Sequence, residues 1–191
     1  MRAFLIKASK GHTGPTFSLK SLASTSGRLD VVLRSIISAF WWGKKLRRDL
    51  AFYALLEGPP QPPLVVEIRG TVLDKLPTSE LKLAEVFYKL FKGKRVQGFK
   101  VYKEDFRRLV KRLSRTYEVL YLHEEGIDIR KFKLTNRPLF ILGDHEGLDP
   151  ESEKFLKELK IPWISLGPIS YLASHCITIV NEELDRRRLN Y

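Results

Sequence analysis

A chain of 191 residues, 43% of them hydrophobic, can bury one sizeable core, and its 34 Lys and Arg against 22 Asp and Glu give a formal charge of +12 that points to a polyanionic partner. The single cysteine excludes an internal disulfide and a multi-cysteine metal site. Hydrophobic runs are short and broken by charge, and the opening MRAFLIKASK has neither the apolar stretch nor the cleavage site of a secretory signal, so one cytoplasmic domain with no membrane span is expected.

Ala3 to Lys7 reads as a buried strand, followed by a Gly-, Ser- and Thr-rich loop that runs to Gly27. Leu29, Val32, Leu33, Ile36, Ile37 and Phe40 recur at helical spacing, which predicts an amphipathic helix from Arg28 to about Trp42 with Arg28 and Asp30 in its first turn. LAFYALLE and LVVEIR then flank GPPQPP, where proline forbids regular structure, and read as a coupled strand pair. A helix over about Ser79 to Phe91 follows, then a basic segment with a helix near Glu104 to Ser114, then the strand YEVLYL.

The last third alternates regularly: strand PLFIL, turn GDHEGLD, helix PESEKFLKELK, strand PWISL, turn GP and a final helix to about Arg187. Asp149 before Pro150 is a strong helix start. Strands alternating with helices imply an α/β fold with a mostly parallel sheet.

Charge is unevenly spread. Residues 1–137 hold 28 Lys and Arg against 13 Asp and Glu, whereas 138–191 hold 6 against 9. The densest stretch, KGKRVQGFKVYKEDFRRLVKRLSR, interleaves Phe99, Tyr102, Phe106 and Tyr117 with cations, a pattern suited to phosphate contact and base stacking. Phe106, Leu109, Val110 and Leu113 also make an ordinary buried helical stripe, which is the favoured reading of the aromatics.

In open α/β sheets, ligands bind at the carboxyl ends of strands. Two successive loops qualify here: ILGDHEGLD, with Gly143 and Gly147, and SLGP. Neither carries a dinucleotide or Walker A glycine pattern. Asp144, His145 and Glu146 fall short of a catalytic metal site, since the other histidines, His12, His123 and His175, are scattered. A Cys-His dyad is disfavoured because His175 and Cys176 are adjacent on a helix and point about 100° apart. Cys176 is read as a small apolar filler or as a lining of the pocket beside the two glycine loops.

FILGDHEG, then ISLGPISYLASHCITIVNEELD, together with FLIKASK and TSGRLDVVLRSIISAF, resembles the archaeal tRNA pseudouridine-54 N1-methyltransferases of the SPOUT class. Their relatives acting on small-subunit ribosomal RNA share the fold. The resemblance implies a C-terminal trefoil knot over 138–191, a basic RNA-facing part over 1–137, S-adenosylmethionine as methyl donor, tRNA as substrate, a homodimer, and no metal. It places the cofactor against Leu142, Gly143, Asp144, Gly147, Ser165, Leu166, Gly167, Leu172 and Cys176. Asp30 is the expected proton acceptor and Arg28 the holder of phosphate or base. Where Pro-Asp-Glu-Arg is usual in the family the chain has Pro77, Thr78, Ser79 and Glu80, keeping the proline and losing the arginine, and it has Ala173 where histidine is usual. The competing expectations are N1-methylation of pseudouridine in small-subunit ribosomal RNA, or a non-catalytic RNA-binding or ribosome-assembly role.

Overall fold

The computed structural model describes residues 1–189. In chain order its elements are β1 (Arg2–Ala8), α1 (Leu22–Thr25), α2 (Leu29–Phe40), β2 (Trp41–Trp42), β3 (Lys45–Leu46), β4 (Leu50–Leu56), β5 (Leu64–Arg69), α3 (Glu80–Phe91), β6 (Phe99–Tyr102), α4 (Phe106–Leu113), β7 (Glu118–Asp128), β8 (Pro138–Gly143), α5 (Pro150–Glu158), β9 (Trp163–Ser165) and α6 (Ala173–Leu189). Seven strands form one sheet in the order β6-β5-β4-β1-β8-β7-β9, and β2 with β3 makes a separate hairpin. From β4 to β9 the neighbours are parallel, while β5 and β6 are added antiparallel at one edge. An α/β fold with a mostly parallel sheet therefore forms, as the alternation of elements implies.

The central strands β1 and β4 are buried along their whole length, and mostly apolar, because helices cover both faces. Phe4, Ile6 and Ala8 of β1 enter one core with α2, α3 and α6. Ala3 and Leu5 enter the other with α4 and α5. Phe106, Leu109, Val110 and Leu113 are buried in that second core, so the helical-stripe reading of these residues holds.

The structure departs from the sequence reading in several places: the segment read as a loop up to Gly27 contains the short helix α1, and Arg28 is the left-handed residue before α2 rather than part of its first turn. The helix α2 stops at Phe40, because Trp41 becomes extended and pairs with Leu46. The strand β6 lies inside the basic segment, its FKVY alternation masked by lysines at a partly exposed sheet edge. The helix α4 starts at Phe106, since Asp105 is its cap and accepts from the Arg108 amide (3.0 Å). The strand β7 runs on to Asp128 through a bulge: Leu122 and Ile127 both face Ile164, and the four residues between them loop out.

A buried polar cluster fastens α6 across the first core. The Arg2 guanidinium donates to the Asn181 carbonyl (3.2 Å), Asn181 Oδ1 (3.0 Å) and Asp185 Oδ1 (2.9 Å). Arg47 forks onto both oxygens of Asp185, and Asn181 Nδ2 donates to the Ala39 carbonyl (3.2 Å). The start of β1 and the ends of α2 and α6 are thus tied together. Among the described residues, no helix is long and apolar enough to cross a membrane.

Candidate functional site

A cleft of about 630 Å³ lies beyond the carboxyl ends of β8, β7 and β9, walled by residues 142–148, the β7 bulge, residues 166–174 with Cys176, and the start of α2. The volume is typical of a small-molecule pocket.

The loop after β8 is held from both ends. The Asp144 amide donates to the Lys7 carbonyl (3.1 Å). Its buried carboxylate accepts from the Ser9 amide (2.9 Å), the Ser9 hydroxyl (3.1 Å) and the Glu146 amide (2.9 Å). Asp144 therefore shapes the loop from behind. A side chain at Gly143 would place its Cβ 2.1 Å from the Gly147 carbonyl carbon, so the tight return of the chain requires glycine there. At the far end, Lys7 Nζ binds Asp149 Oδ2 (2.5 Å) and Glu57 Oε2 (2.7 Å). Asp149 also caps α5, accepting from the Ser152 amide (2.9 Å) and hydroxyl (2.7 Å). Burial pushes the Asp149 carboxyl up, but Lys7 and Ser152 outweigh it and hold the group well below the usual carboxylate range.

In the second loop, Ser165 Oγ donates to the Gly167 carbonyl (2.8 Å) and accepts from its amide (3.2 Å). Ser165 is buried and braces the turn, whereas Leu166, Gly167 and Leu172 line the cleft. Cys176 lines it too, with Sγ 3.6 Å from the Tyr171 carbonyl. Burial, reinforced by the Glu124 carboxylate, pushes the thiol up to about 11, so it is protonated at neutral pH and unsuited to nucleophilic attack. His175 is exposed beside it.

At the start of α2, Arg28 adopts a left-handed backbone (φ 63°) after Gly27 (φ 63°). A Cβ on Gly27 would lie 1.7 Å from the Lys10 carbonyl oxygen, so this entry to the helix also requires glycine. Ser26 Oγ takes the place of a normal cap by accepting from the Leu29 amide (3.1 Å). A left-handed arginine stores roughly 1 kcal/mol or more of strain, a feature concentrated at functional sites. It turns the guanidinium onto Asp30, with Nε to Oδ1 at 3.0 Å and Nη2 to Oδ2 at 3.1 Å. Arg34 Nη2 reaches the same Oδ2 (3.2 Å), and its Nε binds Glu80 (2.9 Å). Both arginines line the cleft, whereas Asp30 is buried behind them with both oxygens engaged.

The sequence reading missed the wall formed by β7. Tyr121 donates to Glu153 (2.8 Å), and the Tyr121 and His123 rings lie against Trp163, with centroids 5.1 and 4.5 Å away. His123 Nδ1 accepts from the Glu125 amide (3.2 Å). Glu124 is held below its usual value by the Ser170 hydroxyl. The polar HEEG interrupting an apolar strand was the available signal. Among the described residues, no group of three or more His, Cys, Asp or Glu side chains is arranged to hold a metal.

The site thus combines close backbone turns, apolar walls, several carboxylates and, as its lining Lys and Arg among the described residues, only Arg28 and Arg34. It can hold a cationic small molecule with an apolar ring and face it with two guanidiniums that suit an anionic substrate.

A family model described as SAM-dependent RNA methyltransferase matches residues 1–189. The tRNA (pseudouridine(54)-N(1))-methyltransferase of Methanocaldococcus jannaschii is 36% identical over 203 residues, covering 99% of this chain and 98% of that protein. The protein of the same name from Thermococcus gammatolerans is 38% identical over 197 residues, covering 97% of each. In fold, the chain is similar to Archaeoglobus fulgidus Nep1 bound to S-adenosylhomocysteine, with a TM-score of 0.72 at 17% identity and 98% coverage of both chains.

Proposed function

The chain belongs to the family of SAM-dependent RNA methyltransferases, and on that premise we propose that it transfers a methyl group from S-adenosylmethionine to N1 of pseudouridine 54 in tRNA. One observation carries the choice of substrate: relatives named for this activity match the chain almost from end to end.

The cleft fits the methyl donor on its own chemistry. Leu142, Ile164, Leu166 and Leu172 offer apolar walls for a purine. The tight Gly143–Gly147 return brings backbone groups within reach of a ligand. Glu124 and Glu153 give carboxylates suited to a sulfonium and an ammonium. When bound, S-adenosylmethionine supplies a methyl group on a positively charged sulfur.

The chain's residues must align the reactants, exclude water and remove the N1 proton. Leu142, Gly143, Gly147, Leu166, Gly167, Leu172 and Cys176 form the holding walls, while Asp144 and Ser165 brace their loops. Arg28 and Arg34 hold phosphate or base. Asp30 accepts the proton: a phosphate that draws Arg28 away frees Oδ1, and Arg34 still balances the charge at Oδ2. RNA binding and exposure of the base are then one event. A C-terminal trefoil knot and a homodimer complete the proposal, and exposed Ile169, Tyr171 and Leu172 at the cleft rim supply apolar surface for the second copy.

Asp30→Asn tests the assignment. Methyl transfer to pseudouridine-containing tRNA is expected to fall by about 100-fold or more with cofactor affinity retained, the scale of a lost general base. Full activity would remove Asp30 from this role.

A further inference from the structure

Because five strands run parallel, the sheet has two unlike ends. The segments at the strands' amino ends, 41–49, 69–75, 114–117, 133–137 and 159–162, hold ten Lys and Arg against two Asp. Those at the cleft end, 9–28, 57–63, 103–105, 123–126, 144–149 and 166–172, hold four Lys and Arg against eight Asp and Glu. The excess positive charge is thus concentrated away from the cleft.

The β2–β3 hairpin stands at this basic end and departs from an ordinary solvated turn. Its Trp42 is 51% exposed, a large apolar surface left in water. Arg47 lies 5.5 Å and Lys45 5.8 Å from its ring centroid. Arg47 is fixed by Asp185, and Arg48 donates to the carbonyls of Gly70 and Leu73, so the base of the hairpin is rigid. Lys44 and Lys45 are exposed and form no ion pair among the described residues. An exposed indole among unpaired cations is a stacking platform with phosphate contacts, the chemistry that holds unpaired nucleotides.

We propose that this end of the sheet is a second RNA-contacting surface, in which Trp42 stacks on an unpaired nucleotide and Lys44, Lys45 and the nearby Lys75 hold phosphates. The helix α2, 12 residues and therefore roughly 18 Å long, connects it to Arg28 in the cleft. A tRNA is gripped at both ends of the sheet, one end contributing affinity and the other chemistry. The proposal rests on the RNA-methyltransferase reading.

The test compares wild type, Trp42→Ala and the double variant Lys44→Ala/Lys45→Ala by fluorescence anisotropy with tRNA across a salt series and by methyl-transfer kinetics. All three positions are exposed, so the fold should be kept. The double variant is expected to lower the slope of log affinity against log salt by about two. Trp42→Ala should weaken binding about tenfold, within the range for one stacked base. For both, KM for tRNA rises while kcat and cofactor affinity stay at the wild-type level. If wild type fails to methylate tRNA, the functional reading falls and this proposal with it. If wild type methylates tRNA and the variants keep its KM and salt slope, this proposal alone is overturned, and the charge serves a partner other than RNA.

Discussion

At the carboxyl ends of the parallel strands the loops turn sharply, carry an excess of Asp and Glu, and enclose a cleft. At the amino ends of the same strands the connections carry five times as many cations as anions and raise an exposed indole into solvent. One sheet therefore presents a concave acidic end suited to a small cation and a basic end suited to a polyanion. Against that contrast, Arg28 and Arg34 supply positive charge to an otherwise acidic cleft, as the proposed RNA substrate requires. Their shared tie to buried Asp30 fixes where that charge stands.

The contrast can be broken most severely at Gly143. A Gly143→Val side chain would collide with the Gly147 backbone, and cofactor binding measured by calorimetry should fall by more than ~100-fold, while tRNA binding at the basic end persists. Loss of both together would mean the two ends are not separable. Next, Arg28→Ala should cut methyl transfer about 30- to 100-fold with cofactor affinity nearly unchanged, in line with one lost charge-assisted contact. An equal drop in cofactor affinity would place Arg28 in the wrong half of the cleft.

A smaller effect is expected at Lys7, whose side chain is buried against partners that are 29% and 42% exposed. Lys7→Met should cost about 2 kcal/mol in urea unfolding, less than a fully buried pair because solvent screens the carboxylates. The Asp149 carboxyl is depressed in the folded chain, so its contribution is present above the ordinary carboxylate range and is lost as pH falls through it. The variant should show a shallower loss of stability below about pH 4 than wild type.

The mildest effect concerns Cys176. With its thiol pushed up to about 11, alkylation by iodoacetamide at pH 8 should run about a hundredfold slower than for free cysteine. Since the folded pKa is raised, the thiol's contribution to stability is complete below about 8.5 and declines as pH rises towards the folded value. Rapid alkylation at pH 8 would mean that the thiol is not buried in the cleft wall.

Much of this was legible from sequence wherever one residue type has one physical use. Apolar runs marked β1, β4 and β8, Asp149 before Pro150 marked the start of α5, and two glycine loops after successive strands marked the cleft. What escaped depended on long-range placement. The polar HEEG marks an interruption of β7, but that residues on both of its sides face Ile164 is a long-range pairing no local pattern reveals. The edge strand β6 is too short and too lysine-rich for its alternation to stand out. Asp30 was readable as the acid of a helix's first turn, but its burial behind two arginines follows from the left-handed turn at Gly27 and Arg28. The charge split at residue 137 was visible along the chain, while its division between the two ends of the sheet required the strand order.

The most direct measurement is to incubate the pure protein with labelled S-adenosylmethionine and tRNA either lacking or containing pseudouridine 54, then digest the RNA and identify the labelled nucleoside. Label in N1-methylpseudouridine, and only when pseudouridine is present, is the predicted result. Absence of label from both tRNAs, or label in another nucleoside, would contradict the account.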